Sequence, residues 1–324
     1  MTNVIGDKKV VHKLEEDAKA FFLDQLDGNL WPYLYGTPED ENDLVTGGIL
    51  YNEILTQEPD YYLYKYEAEL FQNKGDFLTN IIGSDATIIE LGPGSEQSVR
   101  LKTIPLLRSF INLKGYLGIE ISQSFLDKAL AVISSELPNI HVSGIQNDFT
   151  QLESLPEFDK PVILFKGSTI GNLRKDEVQD FMSYIKNLVG KTHYVLLVHD
   201  ANQDEVSLMK AYNTPKVAMF VKNIIFRFHR DMNLVDLDPS AFRYQSEWHS
   251  ESHDLKHILT ATKSQKFVLG NQTVEIKEGQ KFHTLSSFKY PTDVFQKLIS
   301  SAGYKPVDFT FDESGRMAAH IFEG

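Results

Sequence analysis

Apolar positions along the middle of the chain fall into short unbroken runs, separated by stretches with helical spacing. Ala86–Leu91 (ATIIEL), Lys114–Ile121 (KGYLGIEI), Ile140–Ile145, Pro161–Phe165 (PVILF) and Tyr194–Val198 (YVLLV) predict strands. PVILF is near-continuously apolar, as a strand covered on both faces should be. After the second run, Ser122 or Ser124 caps a helix to about Ser135, with Phe125, Leu126, Ala129, Leu130 and Ile133 on one face. Lys175–Val189 places Val178, Phe181, Met182, Ile185 and Leu188 on another, and Gly190 stops it. Such alternation predicts a parallel, doubly wound sheet with right-handed crossovers. Thr292–Ser301 reads as a helix stopped by Gly303. PVDFTF and MAAHIFEG then read as two strands joined by DESG, with no proline expected inside them.

The composition narrows the function classes. A chain of 324 residues holds two modest domains or one domain with a large insertion, and 42% apolar with 24% charged residues suits a soluble protein with a core. There is no cysteine, which excludes disulfides, cysteine-ligated metals and cysteine nucleophiles. The first residues lack a cationic segment followed by an apolar one, and no stretch is apolar for 18 residues, so a cytoplasmic protein is the expectation. The net charge of −13, with no basic cluster, is adverse for nucleic acid and favours a small-molecule substrate.

The candidate chemistry sits at strand ends. In IIELGPGSEQSVR, Gly92 and Gly94 follow the first strand and let the backbone approach a ligand with no Cβ in the way. A dinucleotide fingerprint needs a third glycine where this chain has Gln97, so a ligand without a pyrophosphate is favoured and a dehydrogenase is not. Glu120 ends the second strand, where a carboxylate suits two ribose hydroxyls. Asp148 and Phe149 follow the third and could hold an adenine edge and face. Together they fit S-adenosylmethionine. The plainer readings are a turn glycine pair, a solvated glutamate and a helix-capping aspartate. His249, His253 and His257 recur every four residues, which on a helix would put two imidazoles within reach of zinc or nickel. The plainer reading is a polar helix face; a third has His257 pointing into a substrate pocket. No metal is assigned.

The expected layout, an α/β Rossmann-like sheet of five parallel strands closed by an antiparallel C-terminal hairpin, resembles that of class I methyltransferases. From about Ile49 onward the chain also resembles the histidine Nα-methyltransferases of ergothioneine biosynthesis and their dimethylallyltryptophan N-methyltransferase relatives. The matching segments are ILTQEPDYYLYKYEAEL, ELGPGSEQSVR, FKGSTIGNL, LMKAYNTP and YQSEWHSESHDLKHIL. The resemblance implies a methyltransferase core at 62–200 with 289–324, and an α+β substrate-binding domain at 1–61 with 201–288 that closes over an amino acid. It adds Ser95 and Gly167 to the cofactor contacts. It implies that Tyr61 and Asn172 hold the substrate's amino and carboxylate groups, that Tyr212 binds the carboxylate, and that His257 lines the substrate site. Taken singly, Tyr61 and Tyr212 also read as core aromatics and Asn172 as a helix cap.

Departures from that family bear on the substrate. FHTLSSFKY places Leu285 where the histidine enzymes carry an imidazole-binding glutamate, and keeps Ser287. DENDLVTGG carries no tyrosine where a further imidazole-binding one should precede LYNEIL. Losing polar partners costs a site large factors in discrimination, so the expected substrate is an amino acid other than histidine. Methyl transfer from a sulfonium needs a neutral amine in line with the methyl group; no obligate base stands out, and the rate should rise with pH. The alternatives are histidine itself and a protein that binds S-adenosylmethionine without turnover. A nucleic-acid methyltransferase would carry an Asn/Asp-Pro-Pro-Tyr-type loop where this chain has KGSTIGN. Methyl count, pathway and oligomeric state stay open.

Overall fold

Parallel strands need long crossovers; the chain supplies three of them with helices and one, residues 147–160, as irregular chain. A computed structural model describes residues 6–24, 29–34 and 47–324. In chain order the elements are α1 (Gly6–Lys19), α2 (Gly47–Gln57), α3 (Leu63–Ile82), β1 (Thr87–Leu91), α4 (Glu96–Ser98), α5 (Ile104–Arg108), β2 (Gly115–Glu120), α6 (Gln123–Glu136), β3 (His141–Gln146), β4 (Pro161–Phe165), α7 (Lys175–Val189) and β5 (Tyr194–Asp200). Then come α8 (Glu205–Tyr212), α9 (Pro215–Asp231), β6 (Phe242–His249), β7 (Asp254–Ala261), β8 (Gln265–Leu269), β9 (Gln272–Ile276) and β10 (Lys281–Phe288), followed by α10 (Thr292–Ser301), β11 (Lys305–Phe311) and β12 (Met317–Glu323). A π-helical turn, Val99–Thr103, joins α4 to α5. The chain forms two compact units: Met1–Tyr61 with Asp204–Ser287, and Tyr62–Gln203 with Phe288–Gly324. Among the described residues no helix is long and apolar enough to cross a membrane.

The second unit is built on a seven-stranded sheet of order β11-β12-β5-β4-β1-β2-β3. β1 pairs in parallel with both β2 and β4, so the strand order reverses at β1 and opens a crevice beyond its carboxyl end. β12 runs antiparallel to β5 and to β11, the expected closing hairpin. One core cluster runs from Ile89, Leu117 and Ile163 in the sheet to Val178, Met182 and Ile185 of α7 and Phe295 and Ile299 of α10. The end signals act as expected. The Ser122 hydroxyl caps α6 by accepting from the Phe125 N–H, and Gly190 closes α7 at a φ of 67°. One expectation fails: β11 begins at Lys305, which puts Pro306 inside it. The sheet tolerates this because β11 is its outermost strand, and the register shifts between Pro306 and Asp308.

The first unit joins a three-stranded sheet (β10-β7-β6), a β8–β9 ribbon and α1, α2, α8 and α9. Thr214 caps α9 and Pro215 opens it; the helix buries Val217, Phe220, Val221, Ile224, Ile225 and Phe228. Phe21, Phe22, Phe228 and Phe282 pack edge-to-face and tilted, with centroids 4.9–6.0 Å apart. A second expectation fails here. The His249–His257 segment is a β-hairpin, with His249 ending β6 opposite Asp254, His253 in the turn at a φ of 57°, and His257 in β7 opposite Ser246. Tyr244 and Trp248 favour strand, and a spacing of four across a turn does not gather the imidazoles on one face.

Candidate active site

The crevice side of the second unit is shaped by left-handed glycines. Gly92 and Gly94 have φ of 70° and 74°. A Cβ on Gly94 would meet nothing within 4 Å, and one on Gly92 would come no closer than 3.8 Å, to the Phe149 ring. The corner therefore offers open backbone, and a side chain there would fill the opening as well as strain the chain. Ser95 caps the short helix behind it, its hydroxyl accepting from the Ser98 N–H at 3.3 Å. Glu120, 8% exposed, accepts from the Gly94 N–H and the Ser122 N–H, each at 3.2 Å. Burial pushes its carboxyl up, opposed by the N–H groups of Ser122, Gly94 and Ile121. Gly92, Gly94, Glu120 and Phe149 thus lie in one neighbourhood.

Two other candidates have structural work visible. Asp148 Oδ1 accepts from the Thr150 N–H at 2.8 Å and its hydroxyl at 2.7 Å; this closes a local turn, and no helix follows, so the helix-capping reading is not met. The Phe149 ring packs on Phe165 at 5.5 Å and Phe181 at 6.0 Å, which fixes its plane beside the glycine corner. After β4, Gly167 and Ser168 are both left-handed, at φ of 80° and 54°. For serine this conformation costs about 1 kcal/mol or more, and the buried Ser168 hydroxyl has no hydrogen-bond partner. A buried hydroxyl without a partner is uncommon in a folded protein, which marks the end of β4 as a place where a polar group is on offer. Half-buried Asn172 ends the helical turn Thr169–Asn172.

Four residues of this region had no place in the sequence expectations. Lys166 ends β4 and Glu90 lies near the end of β1; their buried charges meet at 3.0 Å. Glu67 of α3 and Lys102 of the π-turn form a second buried pair at 2.5 Å. The one signal in the sequence was a lysine directly after the apolar run PVILF.

The first unit gathers the expected substrate residues around one imidazole. Tyr61 and Tyr212 are buried, with ring centroids 5.4 Å apart, and Tyr212 lies 5.7 Å from His257. The Tyr244 ring stacks on His257 at 5.8 Å while its hydroxyl reaches Nδ1 at 2.8 Å. Burial raises the Tyr244 hydroxyl pKa strongly, so it stays protonated and can donate. His257 Nε2 lies 3.1 Å from the Ser287 hydroxyl. Leu285, 2% exposed, shares the Ser287 face of β10 by the strand's two-residue period. Among the described residues there is no group of three or more His, Asp and Glu side chains placed to hold a metal ion. Most of DENDLVTGG lies outside the described residues.

Comparison with known proteins gives the following. A family model described as histidine-specific, S-adenosylmethionine-dependent methyltransferase matches residues 33–324. The chain is 26% identical over 274 residues to the histidine N-alpha-methyltransferase of Mycobacterium tuberculosis, covering 83% of this chain and 84% of that protein. It is 22% identical over 287 residues to the N-methyltransferase imqF of Aspergillus flavus, covering 84% and 76%. It is 24% identical over 280 residues to the 4-dimethylallyltryptophan N-methyltransferase easF of Claviceps purpurea, covering 76% and 79%.

Proposed function

The chain belongs to the histidine-specific, S-adenosylmethionine-dependent methyltransferase family, and from that premise we propose that this N-methyltransferase acts on the α-amino group of a free amino acid or amino-acid derivative other than histidine. The observation that carries the substrate reading is Leu285. It is buried on the Ser287 face of β10, and the Ser287 hydroxyl lies within hydrogen-bond distance of His257. An imidazole placed there gains no carboxylate. An aromatic or aliphatic side chain gains apolar contact with Leu285 and the rings of Tyr212, Tyr244 and His257.

In this reading Gly92, Gly94, Ser95, Glu120, Asp148, Phe149 and Gly167 hold the cofactor. Glu120 takes the ribose hydroxyls, Phe149 the adenine face, and the open glycine backbone the remainder. When bound, S-adenosylmethionine supplies a methyl group already activated by its sulfonium. Tyr61, Asn172 and Tyr212 orient the amino acid through neutral hydrogen-bonding groups, with no cation to compete with that sulfonium. Ser287, Leu285 and His257 select the side chain. An ammonium has no lone pair, so the amine gives its proton to water or a nearby polar group before it reacts.

Histidine is the second reading, and the family description and the Mycobacterium tuberculosis relative support it. Methyl transfer from labelled S-adenosylmethionine to a panel of amino acids, together with calorimetric titration of the same panel, separates the two. An aromatic or aliphatic amino acid should bind most tightly and turn over fastest. Histidine ranking first in both would overturn the proposal.

A further inference from the structure

Four buried charges lie behind the glycine corner, on α3, β1, the π-turn and the end of β4. Glu67, Glu90, Lys102 and Lys166 are 0–5% exposed. Burial lowers the Lys102 pKa, with Glu67 opposing. Apolar residues of the same shape would be as stable or more so in such a place, so stability alone does not account for the quartet. What distinguishes it is what the charges touch besides each other.

The Lys166 ammonium has three close polar neighbours. One is Glu90 at 3.0 Å. The other two belong to the cofactor loop: the Pro93 carbonyl at 2.8 Å and the Ser98 hydroxyl at 2.9 Å. Pro93 lies between the two left-handed glycines. Its carbonyl and the Gly94 N–H form one trans peptide group and point in opposite directions. That same N–H donates to Glu120. One peptide plane is thus held from both sides, by a cation on its oxygen and a carboxylate on its nitrogen. The next residue repeats the device: the Gly167 N–H donates to Glu67 at 2.5 Å, and Lys102 holds Glu67. Glu90 is itself fixed by the hydroxyls of Tyr116 at 2.6 Å and Thr103 at 3.0 Å.

We propose that Lys166 is a positioning residue for the cofactor: its buried ammonium locks the Pro93–Gly94 peptide so that the glycine corner and Glu120 are preset for the nucleoside before it arrives. The proposal rests on the reading of Gly94 and Glu120 as cofactor contacts. Lys166 touches no ligand in it. Without the lock, two glycines one residue apart leave this stretch free to turn, and binding must pay to order it.

The test measures the dissociation constant for S-adenosylhomocysteine by calorimetry, the KM for S-adenosylmethionine, kcat at saturation, and the melting temperature. Four proteins are compared: the wild type, Glu120→Ala, Lys166→Met, and the doubly neutral Lys166→Met/Glu90→Gln. The double variant leaves no unpaired buried charge, so it folds even where Lys166→Met does not. It should bind about tenfold or more weakly, the scale of one charge-assisted hydrogen bond, with KM rising in parallel and kcat within about twofold of wild type. A lowered melting temperature with an unchanged dissociation constant in the folded double variant would reduce Lys166 to a structural residue and overturn the proposal. Unchanged binding by Glu120→Ala would overturn the cofactor-site reading beneath it, whereas weakened binding by Glu120→Ala alone would overturn only the lock.

Discussion

Substituting His320 by phenylalanine should remove a defined share of the protein's sensitivity to acid. His320, fully buried in β12, lies among Phe295, Phe309 and Phe322 at centroid distances of 5.2, 5.4 and 5.7 Å, and 5.0 Å from His199. Its Nε2 and the Nδ1 of His199 have no hydrogen-bond partner. Burial, then the neighbouring His199, lowers its pKa from 6.5 to about 2. Burial likewise lowers that of His199 to about 4, opposed by its bond to the Tyr290 carbonyl and by Asp200, and aided by Lys289. Both folded values lie below the unfolded 6.5, so the unfolded chain binds protons first. Stability is therefore full above pH 6.5 and falls as the pH drops toward the folded values. At about 1.4 kcal/mol per pH unit for each group, moving from pH 7 to pH 5 costs about 2 kcal/mol per histidine. This magnitude requires only that both folded values stay below 5. His320→Phe keeps the aromatic stack and deletes one titration. Urea unfolding followed by circular dichroism at pH 7 and pH 5, in wild type and variant, isolates the effect, because burial is the main cause that lowers His199 and keeps it below 5 in both proteins, and the more distant titrating groups are the same in each. The loss between the two pH values should shrink by about 2 kcal/mol in the variant. An equal loss in the two proteins would show that His320 takes up its proton in the folded state, and the reasoning would fail.

Three further outcomes are expected. A Cβ on Gly171 would lie 2.8 Å from the Phe288 carbonyl oxygen, which is backbone and cannot easily move. Gly171→Ala should therefore cost about 1–3 kcal/mol and lower the thermal midpoint by several degrees; an unchanged midpoint would contradict the packing described. Tyr244→Phe deletes the hydroxyl 2.8 Å from His257 Nδ1. It should raise the KM for the amino acid severalfold, consistent with about 1 kcal/mol, and leave the KM for S-adenosylmethionine alone, so an effect on the cofactor instead would remove Tyr244 from the substrate side. Leu285→Glu should raise activity on histidine about tenfold or more relative to the preferred substrate, read in the same panel assay; no change in ranking would clear Leu285 of a role in selection.

The parts of this fold that could be read from sequence are those whose signals are local. The run PVILF is too short and too evenly apolar for a surface helix, and β4 occupies those residues. Ser122 and Gly190 mark helix ends because a hydroxyl and a left-handed glycine satisfy terminal backbone groups by themselves. The histidine series misled because spacing alone does not reveal a turn between its members; Tyr244 and Trp248, both strand formers, were the better evidence. Thr214-Pro215 announces α9 plainly, as a cap followed by a first-turn proline. At the candidate site, glycines and acids at strand ends carry their meaning in their position. Glu67, Glu90, Lys102 and Lys166 do not. Each acquires its partner only when α3, β1, the π-turn and β4 are packed together, and nothing in the neighbouring sequence announces that pairing.

The pairing of β12 with β5 bears on how the protein reaches this state. Met317 lies opposite Asp200 and Glu323 opposite Tyr194, while Asp204–Ser287 belongs to the other unit. One edge of β5 therefore waits for a partner that arrives only after that whole segment has passed. Closing so long a loop is entropically costly and slow for an unstructured chain. Gln203 and Lys289, at the two ends of that segment, are hydrogen-bonded to each other, so a segment that folds first would bring the ends together and shorten the loop that sheet closure must span.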